Sequence, residues 1–179
     1  HRHYRRQRQM CIRDSIRADS CINNGNPTVE IKNTIINNMS SIGILGQGAD
    51  INATNTVISK CGQYAVACNI GGSYSFTHCT FANYWNYNNR NTPSILLNNY
   101  YIDINDNLQI RPLDQADFVN CIIYGSLSTE ISFQEQDKYS TDDYSFNYKF
   151  DHCLIKLNPE INTSNLSLIH ISEPTRPSS

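Results

Sequence analysis

The sequence predicts an all-β solenoid, in which each turn of the coil consists of three short parallel strands. The first observation is a six-residue pattern: an apolar residue, a spacer, Asn or His, Thr or Cys, a second spacer, and Ile or Phe. The second observation is its recurrence, because copies begin at Ile31, Ala53, Phe76, Phe118 and Phe150, which are 22, 23, 42 and 32 residues apart. Periods of this size mark solenoids and arrays.

Each copy is predicted to be a strand, a tight bend and a second strand. The first apolar residue and the Thr or Cys three positions later cannot face one side of a flat strand, because side chains alternate. A bend at the Asn or His resets the alternation, and both residue types tolerate left-handed backbone angles. The asparagines are also expected to hydrogen-bond to one another between turns. The predicted bends are Asn33, Asn55, His78, Asn120 and His152.

About 22 residues make one turn, so the longer spacings indicate insertions. The 42-residue spacing is interpreted as one turn with an inserted loop or as two turns. Glycines at Gly46–Gly48 and Gly71–Gly72 are expected to turn the chain between strands. Helical periodicity is absent, and short β-rich runs are bounded by Asn, Gly and Ser. We therefore expect four to six turns within residues 16–165, incomplete at both ends.

The repeated pattern, the turn length and the Asn-rich turns resemble a right-handed parallel β-helix of the pectate-lyase-like superfamily, specifically its secreted bacterial members. The resemblance covers Val29 to Leu157. It implies an extracellular or cell-surface protein and a polysaccharide partner. It implies architecture more than activity, because one fold hosts many functions.

The two ends are interpreted as translated sequencing-library adapter. Residues 10–14 read MCIRD and residues 166–171 read LSLIHI. The DNA word AGATGTGTATAAGAGACAG encodes the first string, and its reverse complement encodes the second. Residues 1–15 and 166–179 are therefore excluded as non-native. Residues 16–165 are expected to be an internal part of a longer chain, whose remaining coils would be a partner.

Excluding the ends changes the charge balance. The whole chain has 14 Lys and Arg against 16 Asp and Glu. The ends hold six arginines and two acidic residues, which leaves eight basic and fourteen acidic residues and a net charge of −6. The Arg-rich start would otherwise indicate a nucleic-acid-binding arm, so nucleic acid is not an expected partner. No apolar run approaches the ~20 residues of a membrane span.

Five aromatic residues near predicted loops are the candidate carbohydrate-binding residues: Tyr84, Trp85, Tyr87, Tyr100 and Tyr101. Aromatic faces flanked by Asn and Asp can stack on sugar rings. The alternative is that these rings pack a long loop onto the surface of the coil. Both interpretations stay open at this point.

Three cysteines share the position that threonine takes in the first two copies: Cys79, Cys121 and Cys153. They are predicted to form a column of small core residues, since parallel side chains disfavour disulfides. Cys61 and Cys68 flank a short segment of one turn, where a disulfide is the alternative to free thiols. No Cys or His spacing suggests zinc, so neither a metal nor a cofactor is predicted.

Four acidic residues and one arginine lie between the third and fourth copies: Asp103, Asp106, Arg111, Asp114 and Asp117. The resemblance makes them a place to look for catalysis, because pectate lyases use clustered Asp with calcium and an Arg base. The spacing of an EF-hand calcium loop is absent. The segment is therefore interpreted as a solvated loop, and the catalytic residues remain unknown.

The sequence thus predicts a non-catalytic scaffold of a secreted or cell-surface protein, which contacts glycans or mediates adhesion. The alternative is a polysaccharide lyase or glycoside hydrolase with its site on the helix face or in the inserted loops. The two differ in one feature. An enzyme should bring acidic side chains from adjacent turns within hydrogen-bond or metal distance.

Overall fold

The computed structural model describes residues 15–19, 28–136 and 145–158. All regular secondary structure in these ranges is β-strand. The predicted adapter segments lie outside the described residues, apart from Ser15. The strands are, in chain order, β1 (Ile16–Asp19), β2 (Thr28–Lys32), β3 (Ile35–Met39), β4 (Ile44–Thr54), β5 (Val57–Cys61), β6 (Val66–Thr77), β7 (Thr80–Asn83), β8 (Ile95–Asn98), β9 (Tyr100–Ile102), β10 (Leu108–Ile110), β11 (Leu113–Val119), β12 (Ile122–Gly125), β13 (Ile131–Gln134), β14 (Lys149–Asp151) and β15 (Leu154–Ile155).

Thirteen of these strands form three parallel ladders. The first ladder contains β2, the second half of β4, the second half of β6, β11 and β14. The second contains β3, β5, β7, β12 and β15. The third contains β1, the first half of β4, the first half of β6, β8 and β13. This all-β arrangement of parallel sheets is consistent with the predicted parallel solenoid.

The five predicted bend residues all adopt left-handed backbone angles. Their φ values lie between 50° and 55°. Each bend joins a strand of the first ladder to a strand of the second. Asn55 Nδ2 donates a hydrogen bond of 2.8 Å to Asn33 Oδ1, which is the expected side-chain amide bond between neighbouring turns.

The patterned apolar side chains form the core. The Ile or Phe that closes each copy is in register with the next and is buried, in the order Ile36, Ile58, Phe81, Ile123 and Ile155. In the first ladder, Phe118 stacks on Phe76 with ring centroids 4.9 Å apart and on Phe150 at 4.8 Å. Burial of each such side chain contributes about 1.5–3 kcal/mol before entropy is counted.

The Thr or Cys that follows each bend makes the same kind of hydrogen bond in all five copies. Thr34 Oγ1 donates to the carbonyl oxygen of Lys32 at 2.8 Å, and Cys79 Sγ donates to that of Thr77 at 3.4 Å. The remaining copies repeat this bond to the residue two positions earlier. A small side chain with one donor therefore fits the position, which explains why threonine and cysteine both occur there.

All five cysteines in the described ranges are buried free thiols: Cys61, Cys68, Cys79, Cys121 and Cys153. The predicted column of small core residues is confirmed for the last three. The disulfide considered between Cys61 and Cys68 is not formed. Cys21 lies outside the described residues.

The glycine turns differ from the prediction, because they lie inside continuous strands. β4 passes through Gly46 to Gly48, and β6 passes through Gly71 and Gly72. Left-handed angles do occur there, at Gly48 and from Ile70 to Gly72. The chain therefore changes direction at these glycines without a break in β4 or β6. The two strands pair in parallel before and after the glycines, with a shift of register between Gln47 and Ala49.

The 42-residue spacing contains two insertions instead of a second repeat. Phe76 of β6 pairs directly with Phe118 of β11, so no additional turn lies between them. One insertion, residues 84–94, joins β7 to β8, and the other, residues 99–112, joins β8 to β11. The second contains β9 and β10, which pair as an antiparallel hairpin that the sequence did not predict.

Candidate functional site

The first insertion presents aromatic rings at the surface, and residues 84–94 are called the aromatic loop below. Tyr84 is 49% exposed and Tyr87 is 70% exposed. The ring of Trp85 lies beside that of Tyr87, with centroids 4.8 Å apart and planes inclined by 56°. Trp85 Nε1 donates a hydrogen bond to Asn88 Oδ1. The loop therefore combines exposed rings with the side-chain amide of Asn88, which Trp85 holds in place.

The start of the aromatic loop is fastened to the preceding turn of the chain. Asn83, at the end of β7, is fully buried. Its Oδ1 accepts a hydrogen bond of 2.8 Å from the backbone N–H of Cys61, and its Nδ2 donates to the carbonyl of Gln63 at 3.0 Å. Trp85 lies over Gly62, where an added Cβ would be 3.4 Å from Cζ2. The loop thus rests on the β5–β6 connection.

The end of the aromatic loop is fastened by a buried ion pair. Arg90 Nη2 lies 2.7 Å from Glu130 Oε1, and the two side chains are 1% and 0% exposed. A second bond joins Arg90 Nη1 to Glu130 Oε2 at 3.0 Å, so the pair is bidentate. Bidentate arginine–carboxylate pairs add geometric specificity as well as strength. Glu130 immediately precedes β13, which pairs with β8.

Most of the remaining polar atoms around the pair are also engaged, whereas Arg90 Nε and Thr92 Oγ1 are buried without a hydrogen-bond partner. Ser94 donates to Glu130 Oε2 from its backbone N–H at 2.9 Å and from Oγ at 2.7 Å, and Leu127 N–H donates to Oε1 at 2.8 Å. Arg90 Nη2 donates to the carbonyl of Asn83 at 2.9 Å. These bonds offset the desolvation of the two charges. A Cβ on Gly125 would lie 2.2 Å from Glu130 Oε1, so this glycine makes room for the carboxylate.

Sequence reasoning did not identify Asn83, Arg90, Ser94 or Glu130. The sequence offered one signal for this ion pair, which was the presence of two opposite charges in uncharged or apolar surroundings. Arg90 is the one charged residue in a polar and aromatic insertion, and Glu130 stands directly before the apolar strand Ile131–Gln134.

The five predicted carbohydrate-binding residues fall into two groups. Tyr84, Trp85 and Tyr87 lie in the aromatic loop, before β8, whereas Tyr100 and Tyr101 lie in β9, after it. No ring contact found in the described ranges joins the groups. The second group lies beside Arg111, whose guanidinium is 5.8 Å from the centroid of the Tyr101 ring.

The acidic residues of the second insertion do not converge. The Asp103 carboxylate accepts hydrogen bonds of 2.9 Å from the backbone N–H groups of Asn105 and Asn107. The bond from Asn107, the largest influence, lowers the pKa of Asp103, so this residue stabilises the hairpin turn. Of the four predicted acidic residues, only Asp114 lines the same depression as Arg111, which has a volume of about 110 Å³. No group of three metal-ligating side chains occurs in the described parts of the chain.

One outward-facing column of the first ladder separates its two carboxylates. The column reads, from turn to turn, Glu30, Asn52, Ser75, Asp117 and Lys149. Glu30 and Asp117 are three steps apart, which is about 14 Å at ~4.8 Å per step. Glycosidase carboxyl groups lie about 5–9.5 Å apart, so these two do not form such a pair.

No protein-family model, curated protein or solved structure matches this chain. In the described ranges, no helix is long and apolar enough to cross a membrane. The class is therefore defined by the structure itself: an all-β protein of parallel sheets, consistent with a parallel β-solenoid, which carries an anchored aromatic loop.

Proposed function

We propose that this chain is a non-catalytic, right-handed parallel β-helix scaffold from a secreted or surface-displayed bacterial protein, and that the aromatic loop is its glycan-contact surface. The observation that carries the proposal is the combination of exposed rings and a buried anchor. Tyr84 and Tyr87 face solvent, while Arg90 and Glu130 fasten the same loop from below.

The β-helix part of the proposal is supported by the order of the ladders. Along the chain the strands enter the first, second and third ladders in a constant sequence. The bends lie in register, and the apolar residue two positions before each bend and the Ile or Phe three positions after it are buried in matching columns. Winding around one axis accounts for all three features.

The glycan part of the proposal is supported by the chemistry of the loop. Sugar rings have C–H faces that pack on aromatic side chains and hydroxyl groups that pair with amides. Residues 84–92 contain three aromatic residues and four asparagines. Because the ion pair holds the loop in place, less conformational freedom is lost when a ligand binds.

One observation favours the alternative of a polysaccharide lyase or hydrolase. Arg111 and Asp114 line the same depression, beside Gly48, Gly72 and Pro112. If this depression is a catalytic site, the full chain should degrade a polysaccharide, and Arg111→Ala should remove at least 90% of that activity. Equal degradation by the Arg111→Ala variant would place the chemistry elsewhere.

Binding is best tested through Trp85, which is the only tryptophan in the chain. We expect its fluorescence to change when the full chain is titrated with glycans from a polysaccharide panel. Tyr87→Ala should weaken that binding at least about fivefold, the effect of losing a central contact of about 1 kcal/mol. Tyr101→Ala, outside the aromatic loop, is the matched control and should bind normally. Unchanged binding by Tyr87→Ala would refute the assignment.

A further inference from the structure

We infer that the aromatic loop selects uncharged glycans over anionic ones. The inference rests on the proposed function and names the ligand class of the same site. Its starting point is the placement of charge. Between Tyr84 and Thr92, Arg90 is the only charged residue, and it is buried.

The exposed surface of the loop is made of two residue types. Its exposed side chains are all tyrosine or asparagine: Tyr84, Asn86, Tyr87, Asn88, Asn89 and Asn91. An asparagine amide both donates and accepts hydrogen bonds, and so does a sugar hydroxyl. This surface can therefore pair with hydroxyl groups at several angles, while the rings pack against the C–H face of a sugar.

The buried arginine cannot serve a carboxylate or sulfate ligand. Both terminal nitrogens of Arg90 already donate to acceptors within the protein, among them Glu130 and Asn83. The Glu130 carboxylate balances its charge at 2.7 Å. An anionic sugar docked on the loop would lose hydration without gaining a counter-charge, which is unfavourable. The net charge of the chain, −2 at pH 7, also disfavours polyanions.

Lys60 is an exposed cation two residues before Gly62, the residue that Trp85 covers at the base of the loop. It is one residue that could hold an anionic ligand if the inference were wrong. Lys60→Gln is therefore the diagnostic variant. It removes this charge and leaves the aromatic loop intact.

The experiment compares a neutral and an anionic derivative of one polymer, hydroxyethylcellulose and carboxymethylcellulose, and in parallel dextran and dextran sulfate. Binding to the full chain is followed by Trp85 fluorescence at 50 and 500 mM NaCl. We expect the neutral member of a bound pair to bind at least tenfold more tightly, with less than a twofold effect of salt and no effect of Lys60→Gln. Asn89→Lys, which adds a charge to the exposed loop, should raise affinity for the anionic member at low salt.

Three outcomes would overturn the inference in distinguishable ways. Tighter binding of the anionic member, lost at high salt or in Lys60→Gln, contradicts neutral selectivity but leaves glycan binding by the loop intact. Equal binding of both members, insensitive to salt, also contradicts selectivity. No Trp85 response to either pair or to a panel of neutral polysaccharides refutes the proposed function itself, and the inference with it.

Discussion

The Arg90 guanidinium and the Glu130 carboxylate lie 2.7 Å apart in the protein interior, although forty residues separate them in the chain. Arg90 belongs to the connection before β8, and Glu130 directly precedes β13, the neighbour of β8 in the third ladder. The ion pair therefore joins the segments that precede two neighbouring strands of the third ladder. It also fixes the loop that carries Trp85 and Tyr87, so the stability of the fold and the shape of the site depend on one interaction.

Removal of the Glu130 carboxylate should destabilise the protein strongly. Glu130→Ala leaves the buried charge of Arg90 without its partner, and such changes cost about 3–5 kcal/mol. The free energy of unfolding is measured by urea denaturation followed by circular dichroism. Glu30→Ala, which breaks an exposed ion pair with Lys32, is the control and should change stability little. Equal midpoints for the two variants would contradict a structural role for the buried pair.

The bend at Asn120 should tolerate glycine and reject valine. Its φ is 53°, a region that costs a residue with a Cβ about 1–2 kcal/mol and suits β-branched residues worst. Asn120→Val should therefore be less stable than Asn120→Gly by about 1–2 kcal/mol, as measured by thermal unfolding. Asn52→Val, an exposed position inside strand β4, should be neutral, because valine favours strands. If valine were accepted equally at both positions, the bend assignment would be wrong.

Stability should fall in alkaline solution through the Cys61 thiol. Burial raises the pKa of Cys61 from 9.0 to about 11, so between these values the unfolded chain has lost the proton that the folded chain retains. The stabilisation is complete below pH 9 and is lost as the pH rises to 11. We expect Cys61→Ala to reduce the loss of unfolding free energy between pH 8 and pH 11 by about 2–3 kcal/mol.

The control for this prediction is Ile58→Val, a small deletion at a fully buried position of the same strand. It should lower stability at every pH by about 0.5–1.5 kcal/mol and leave the pH dependence unchanged. A pH profile of Cys61→Ala that is as steep as that of the unsubstituted chain would show that this thiol does not titrate as a buried group.

The repeated part of the fold could be predicted from sequence because its requirements are local. Asn33 and His152, at opposite ends of the described repeats, occupy the same place in the pattern and share φ values of 51°. Left-handed backbone angles and the alternation of side chains restrict each copy independently of the others. Five copies in one register therefore indicated the bends, the inward columns and the small residues at Cys79, Cys121 and Cys153.

The anchored site could not be predicted in the same way because it depends on contacts between distant segments. The position of Glu130 before an apolar strand marks an unusual charge, but it does not indicate that residues 84–94 supply its partner. The hairpin of β9 and β10 was also missed. Its strands have three residues each, and its turn is closed by the Asp103 carboxylate instead of a glycine. The candidate rings were found from composition, whereas their separation into two groups required the topology.

The stacking of successive turns is tested most directly by the phenylalanine rings. The chain has six phenylalanines, so a sample labelled only at phenylalanine gives a simple NMR spectrum. We predict ring–ring NOEs from Phe118 to both Phe76 and Phe150, whose centroids lie 4.9 and 4.8 Å away, and none between Phe76 and Phe150. Phe118→Leu should remove both signals. A Phe118 ring without these neighbours, or a direct contact between Phe76 and Phe150, would contradict the stacked arrangement on which the site depends.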